Sequence, residues 1–175
     1  MASYRAGGQF EEVPGGATRD LSSHAGVAFA LGFTAGESAE DYELFYSRQE
    51  TRIGGRAPFD IDVEYLHFGG TVDYDDPSER YIPYIAGGIG ATRMTPHGAG
   101  LENETHWSMS LGGGMKIPVT ERILVRLELR GYFTWLHDHS DIFCVSSDGS
   151  ASCAIRVKGN GLFQGEALGG VSFRF

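Results

Sequence analysis

Apolar and polar residues alternate with a period of two along much of this chain. From Ile123 to Leu136 the set Ile123, Val125, Leu127, Leu129, Phe133 and Trp135 falls on one face. Arg126, Glu128, Arg130, Tyr132 and Thr134 fall on the other. Successive side chains of a β-strand point to opposite sides, so this is a strand with two unlike faces. The final stretch, 162–175, repeats the pattern. Phe163, Gly165, Ala167, Gly169, Val171, Phe173 and Phe175 alternate with Gln164, Glu166, Leu168, Gly170, Ser172 and Arg174. One face stays free of charge over the whole length and the strand stops on an aromatic, the pattern of a strand that crosses a bilayer.

The same reading predicts eight strands, at about 4–11, 23–33, 42–52, 60–74, 80–94, 103–118, 123–136 and 162–175. On the second, Ala25, Val27, Phe29, Leu31 and Phe33 oppose the small residues Gly26, Ala28, Ala30 and Gly32. The fourth loses phase: Ile61, Val63 and Tyr65 share one parity and Phe68, Val72 and Tyr74 the other, and a β-bulge between Tyr65 and Gly70 would restore it. Pro83 cannot donate to a ladder and belongs near the start of the fifth strand. Connections after strands two, four and six are short. Those after one, three, five and seven average longer, and the last, 137–161, is the longest. Short turns at one rim and long loops at the other fit a membrane barrel, and an even strand count returns both chain ends to the short-turn rim.

Composition refines the picture. The chain has 175 residues, enough for one domain over 1–175, with 26 glycines and 12% aromatics. Mean hydropathy is −0.20, and no apolar run is long enough for a membrane helix; a barrel carries its apolar surface in alternation instead. The net charge of −9 argues against a nucleic-acid partner. Met1-Ala2-Ser3 reads as an added start ahead of exported sequence, in place of a signal peptide. In an oxidising compartment Cys144 and Cys153 would close a small loop, worth roughly 2–3 kcal/mol.

Two features point the apolar faces outward, to lipid. Tyr4, Trp107, Phe133, Trp135, Phe173 and Phe175 lie near strand ends, as in an aromatic girdle. The apolar set is also too bulky for the inside of eight strands, a barrel just wide enough to be filled by side chains. The polar faces then form the interior. Arg126, Glu128, Arg130 and Glu166, with Glu64 from the fourth strand, are expected to pair there, since an unpaired buried charge costs several kcal/mol.

The residues Tyr81-Ile82-Pro83-Tyr84-Ile85-Ala86-Gly87-Gly88-Ile89-Gly90, Leu111-Gly112-Gly113-Gly114-Met115-Lys116, Leu127-Glu128-Leu129-Arg130-Gly131-Tyr132 and terminal Phe173-Arg174-Phe175 resemble the small bacterial outer-membrane β-barrel superfamily of the OmpA transmembrane domain and OmpX type. The resemblance implies an all-β, eight-stranded antiparallel up-and-down transmembrane β-barrel in the bacterial outer membrane, in contact with its lipid and lipopolysaccharide. It also implies an assembly signal at Phe173 and Phe175, read by the barrel-assembly machinery. No cofactor is implied. Ile142, Phe143 and Val145 in the 137–161 loop are the candidate surface for an extracellular ligand or protein. His137-Asp138-His139-Ser140-Asp141 carries nucleophile, base and carboxylate types, but catalytic triads are assembled from separated positions, and no enzyme is expected. The expected function is a non-enzymatic envelope barrel with an ion-paired, plugged lumen; the alternative is a narrow porin-like channel for small solutes or ions.

Overall fold

A bilayer offers the backbone no water, so a membrane-crossing sheet must pair every strand on both sides and close on itself. The computed structural model has that form. It describes residues 1–12, 17–34, 40–53, 59–74, 80–97, 103–136, 141–147, 150–156 and 161–174; for 9–12, 17–20, 40, 53, 59, 141–147 and 150–156 it describes the backbone alone. The strands in chain order are β1 (Ala2–Gly7), β2 (Gln9–Glu12), β3 (Ala17–Asp20), β4 (His24–Thr34), β5 (Glu40–Ile53), β6 (Phe59–Asp73), β7 (Ile82–Pro96), β8 (Glu104–Pro118), β9 (Ile123–Trp135), β10 (Asp141–Ser147), β11 (Ser150–Arg156) and β12 (Gly161–Phe173). Eight of them close into a barrel in the order β1-β12-β9-β8-β7-β6-β5-β4. Every adjacent pair is antiparallel, so the chain runs up and down. At 11–15 residues, β4 to β9 and β12 are long enough to span a bilayer.

Two of the long connections contain further structure. The stretch read as the end of strand one and a polar connection is a β2–β3 hairpin, paired from Gln9↔Asp20 to Glu12↔Ala17. It is set off from β1 by Gly7 and Gly8, at φ of 88° and 101°, a conformation that suits residues without a Cβ. The longest connection holds the β10–β11 hairpin.

The faces point as read on β9 and β12. Leu129 is 70% exposed and Phe173 64%, whereas Arg126, Glu128 and Arg130 are buried. Outside, Phe29, Leu31, Phe33, Leu66, Phe68, Ile85, Ile89 and Leu111 cover the wall with apolar surface. On a water-soluble protein so large an apolar patch would be untenable; against lipid it is the expected exterior.

The expected bulge in strand four is absent. β6 pairs with β5 from Glu40↔Val72 to Ile53↔Phe59, and with β7 from Ile61↔Pro96 to Asp73↔Tyr84, without a break in register. Ile61, Val63, Tyr65 and His67 all point into the barrel, while Leu66, Phe68 and Val72 point out. The change of parity is real in the sequence. It records an inward face of β6 that turns apolar toward the long-loop end.

Candidate functional site: the lumen

Pairing across the sheet brings charges from distant strands into the lumen. On β9 the inward residues rise from the short-turn end as Arg126, Glu128, Arg130, Tyr132 and Thr134, all buried. Glu43 of β5 approaches from the facing wall. Arg126 Nη1 donates to Glu43 Oε2 at 2.6 Å, and Arg126 Nη2 to Glu128 Oε2 at 2.6 Å. Arg130 Nη2 donates to Glu43 Oε1 at 2.8 Å, and Arg130 Nε to Glu128 Oε1 at 2.5 Å. Each carboxylate thus bridges both guanidiniums, and the two charges of each sign cancel. The Tyr84 hydroxyl donates to Glu128 Oε2 at 2.6 Å and accepts from Arg126 Nε at 2.7 Å. Charge-assisted bonds of this kind offset the desolvation that would make any one of these ions untenable alone. The inward positions of β8 opposite Glu128 and Arg130 are Gly114 and Gly112. A Cβ on Gly114 would stand 2.9 Å from the Tyr84 hydroxyl, so the missing side chain leaves room for the cluster.

A second cluster lies above the first. Glu166 of β12 accepts from Ser47 Oγ at 2.8 Å and from Arg5 Nη2 at 3.3 Å, and the Tyr132 hydroxyl also donates to it. The Arg5 guanidinium sits 4.7 Å from the centre of the Tyr65 ring, and Tyr65 stacks on Tyr132 at 4.1 Å. That stack, with Phe45 beside it 6.4 Å from Tyr132, fills the middle of the lumen. Below the first cluster, Lys116 Nζ donates to Asp73 at 2.6 and 2.8 Å and lies 3.7 Å from Asp41. Toward the long-loop end the lining mixes apolar with neutral polar side chains: Leu21, Ile61, Val63, Met94, Leu136 and Leu162 are buried, as are Gln49, Thr51, Thr92 and Thr134. His67 lies between the hydroxyls of Ser108 and Ser110, 2.8 Å from each.

The five residues expected to form one network divide three ways. Arg126, Glu128 and Arg130 meet. Glu166 belongs to the separate cluster with Arg5. Glu64 is not in the lumen: the unbroken register of β6 puts it on the outer wall with Leu66 and Phe68, where it accepts from the Tyr46 hydroxyl at 2.6 Å. Glu43, Arg5, Ser47 and Tyr84 were missed, although the alternation carried the signal for two of them. Glu43 is out of phase with the apolar set Tyr42, Leu44 and Tyr46, and Arg5 is out of phase with Tyr4.

Of the expected girdle, Tyr4, Trp107 and Trp135 are exposed and Phe133 half-buried, with Phe133 edge-on to Trp135 at 5.1 Å. Phe173 points out near the end of β12. Phe175 and the 137–140 part of the His137–Asp141 segment lie outside the described residues. So do the side chains of Asp141, Ile142, Phe143, Val145, Cys144 and Cys153. The backbones of Cys144 and Cys153 are partners across the β10–β11 hairpin. The expected disulfide is not supported.

β1 pairs with β4 over 24–27 and with β12 over 164–169, and Met1 exchanges both backbone hydrogen bonds with Ala28. Below that level the facing edges of β4 and β12 line a cavity of about 550 Å³, which reaches inward to Glu43, Lys116 and Arg126.

No protein-family model and no curated protein sequence matches this chain. Among solved structures, the crystal structure of Neisserial surface protein A superposes with a TM-score of 0.62 at 13% identity, covering 99% of this chain and 95% of that one. At that identity the likeness is one of fold, and it agrees with the small outer-membrane barrel resembled by the sequence.

Proposed function

We propose that this protein is a non-enzymatic barrel of the bacterial outer membrane, with a lumen plugged by its own side chains and external loops free to bind. The observation that carries this reading is the four-ion lattice of Glu43, Arg126, Glu128 and Arg130 beneath the Tyr65–Tyr132 stack. An ion path would have to break paired, desolvated charges and then cross a layer packed with Ile61, Val63, Met94 and Leu162. Lipid and lipopolysaccharide cover the wall in this reading. The barrel-assembly machinery takes up the last strand through Phe173 and Phe175, and the 137–161 loop offers Ile142, Phe143 and Val145 to an extracellular ligand or protein. The test is conductance in planar lipid bilayers. The plugged barrel gives no steady current, and discrete, sustained openings would overturn the reading.

A narrow channel for small solutes or ions is the second reading. It is favoured by the cavity at the short-turn end, which extends inward as far as Arg126.

A further inference from the structure

We propose that the outer wall carries a phospholipid site at its short-turn end, formed by a groove over Gly70 and Gly87 and by Arg80 beneath it. The register explains the groove. Tyr42 of β5, Gly70 of β6, Gly87 of β7 and Leu111 of β8 are successive partners across the sheet. All four lie on the outward parity of their strands. The two glycines leave a floor two strands wide between the exposed Tyr42 and Leu111, and the exposed pair Val72 and Ile85 stands one row below. The groove so formed has a volume of about 370 Å³, and its walls are apolar.

The rim below the groove selects the occupant. Tyr74 follows β6 and Tyr81 precedes β7, and both are exposed. Arg80 is exposed beside Tyr81, and among the described residues its guanidinium has no partner. From Gly70 to Tyr74 is about 13 Å at the usual strand rise, and one leaflet of hydrocarbon is about 15 Å deep. A lipid whose phosphate meets Arg80 therefore lays its acyl chain in the groove, within the leaflet on the short-turn side. Tyrosines suit that level, with an apolar ring for the chains and a hydroxyl for the ester region. In sequence Arg80 follows Asp75, Asp76 and Glu79, so a headgroup of both signs, phosphate and ammonium, fits this rim better than an anionic one. A second barrel is the poorer occupant. Two convex walls meeting over this groove offer it a single side chain, well short of the roughly 1,000 Å² that a stable contact buries. An acyl chain lies along the groove and fills it. The site rests on the membrane reading of the wall and not on a plugged lumen, so this proposal and the conductance test fail separately.

The test is native mass spectrometry of the whole chain released from nanodiscs that hold phosphatidylethanolamine and phosphatidylglycerol in equal amounts. The chain should retain phosphatidylethanolamine in preference. Gly87→Leu fills the groove, and a Cβ there meets nothing closer than 3.7 Å, so the wall keeps its shape. Arg80→Gln removes the cation from an exposed bend and leaves the fold untouched. Each should lower the retained phosphatidylethanolamine about tenfold, the scale of one lost hydrogen bond to a charged group. Gly165→Leu is the control: it fills open space on an outward position of β12, across the barrel from β6 and β7, and leaves retention unchanged. Heat-modifiable gel mobility checks that each variant is folded. Four results each overturn the proposal: equal retention of phosphatidylglycerol, undiminished retention by folded Gly87→Leu or by Arg80→Gln, an equal loss in Gly165→Leu, or a dimer rather than a lipid adduct that disappears in Gly87→Leu.

Discussion

β9 and β6 meet across the lumen where Tyr132 stacks on Tyr65, and they fill their inward faces in opposite ways. β9 turns Arg126, Glu128 and Arg130 inward and leaves its apolar residues to lipid. β6 turns Ile61, Val63 and Tyr65 inward and carries Glu64 on its outer face. Both alternate, and both are in unbroken register with their neighbours. Alternation therefore separates two faces but does not say which is wet. Height along the barrel decides that. The lower and middle lumen is ionic and the upper lumen mixes apolar with neutral polar side chains, while the outer wall is apolar in its middle and charged near the long loops.

That contrast can be broken from the ionic side first. Glu128→Ala leaves Arg126 and Arg130 sharing one carboxylate in a buried site. The loss should be about 3–5 kcal/mol, measured by urea unfolding in lipid vesicles. A loss below about 1 kcal/mol would mean that water, not pairing, solvates these ions. On the apolar side, Ile61→Ala opens a hole in the upper lumen and should cost about 2–4 kcal/mol in the same assay. If it costs nothing, that region is not a packed core. Tyr132→Phe removes one donor from Glu166, which keeps Ser47 and Arg5. About 1.5 kcal/mol is expected, the low end for a hydrogen bond to a charge. Glu64→Gln, on the outer wall, should change stability by less than about 0.5 kcal/mol; a change as large as that of Glu128→Ala would return Glu64 to the interior.

Much of the fold was legible because a barrel writes its geometry into parity. Strand count, short and long rims, and the inward set of β9 follow from residues such as Leu127, Glu128 and Leu129 taken in sequence. The fourth strand misled because its inward apolar residues, Ile61, Val63 and Tyr65, look like a lipid face when read alone. Only pairing to β5 and β7 fixes their side. The clusters were half legible for a related reason. Parity puts Glu43 and Arg5 inside, but which cation meets which anion depends on the stagger between strands far apart in sequence. Arg5 and Glu166 are neighbours only because β1 closes on β12. The empty inward positions Gly112 and Gly114 were a further signal, since side chains as large as Arg130 and Tyr84 need vacant space opposite them.

The central claim is that lipid touches the apolar face of each strand while the ionised groups pair within. The most direct measurement is nuclear magnetic resonance in micelles carrying a spin-labelled fatty acid, beside a water-soluble spin label as counterpart. The account predicts that the fatty-acid label broadens the methyl signals of Leu127 and Leu129, and that neither label broadens the guanidinium Nε–H signals of Arg126 and Arg130. Sharp leucine methyls together with arginine signals broadened by either label would contradict it.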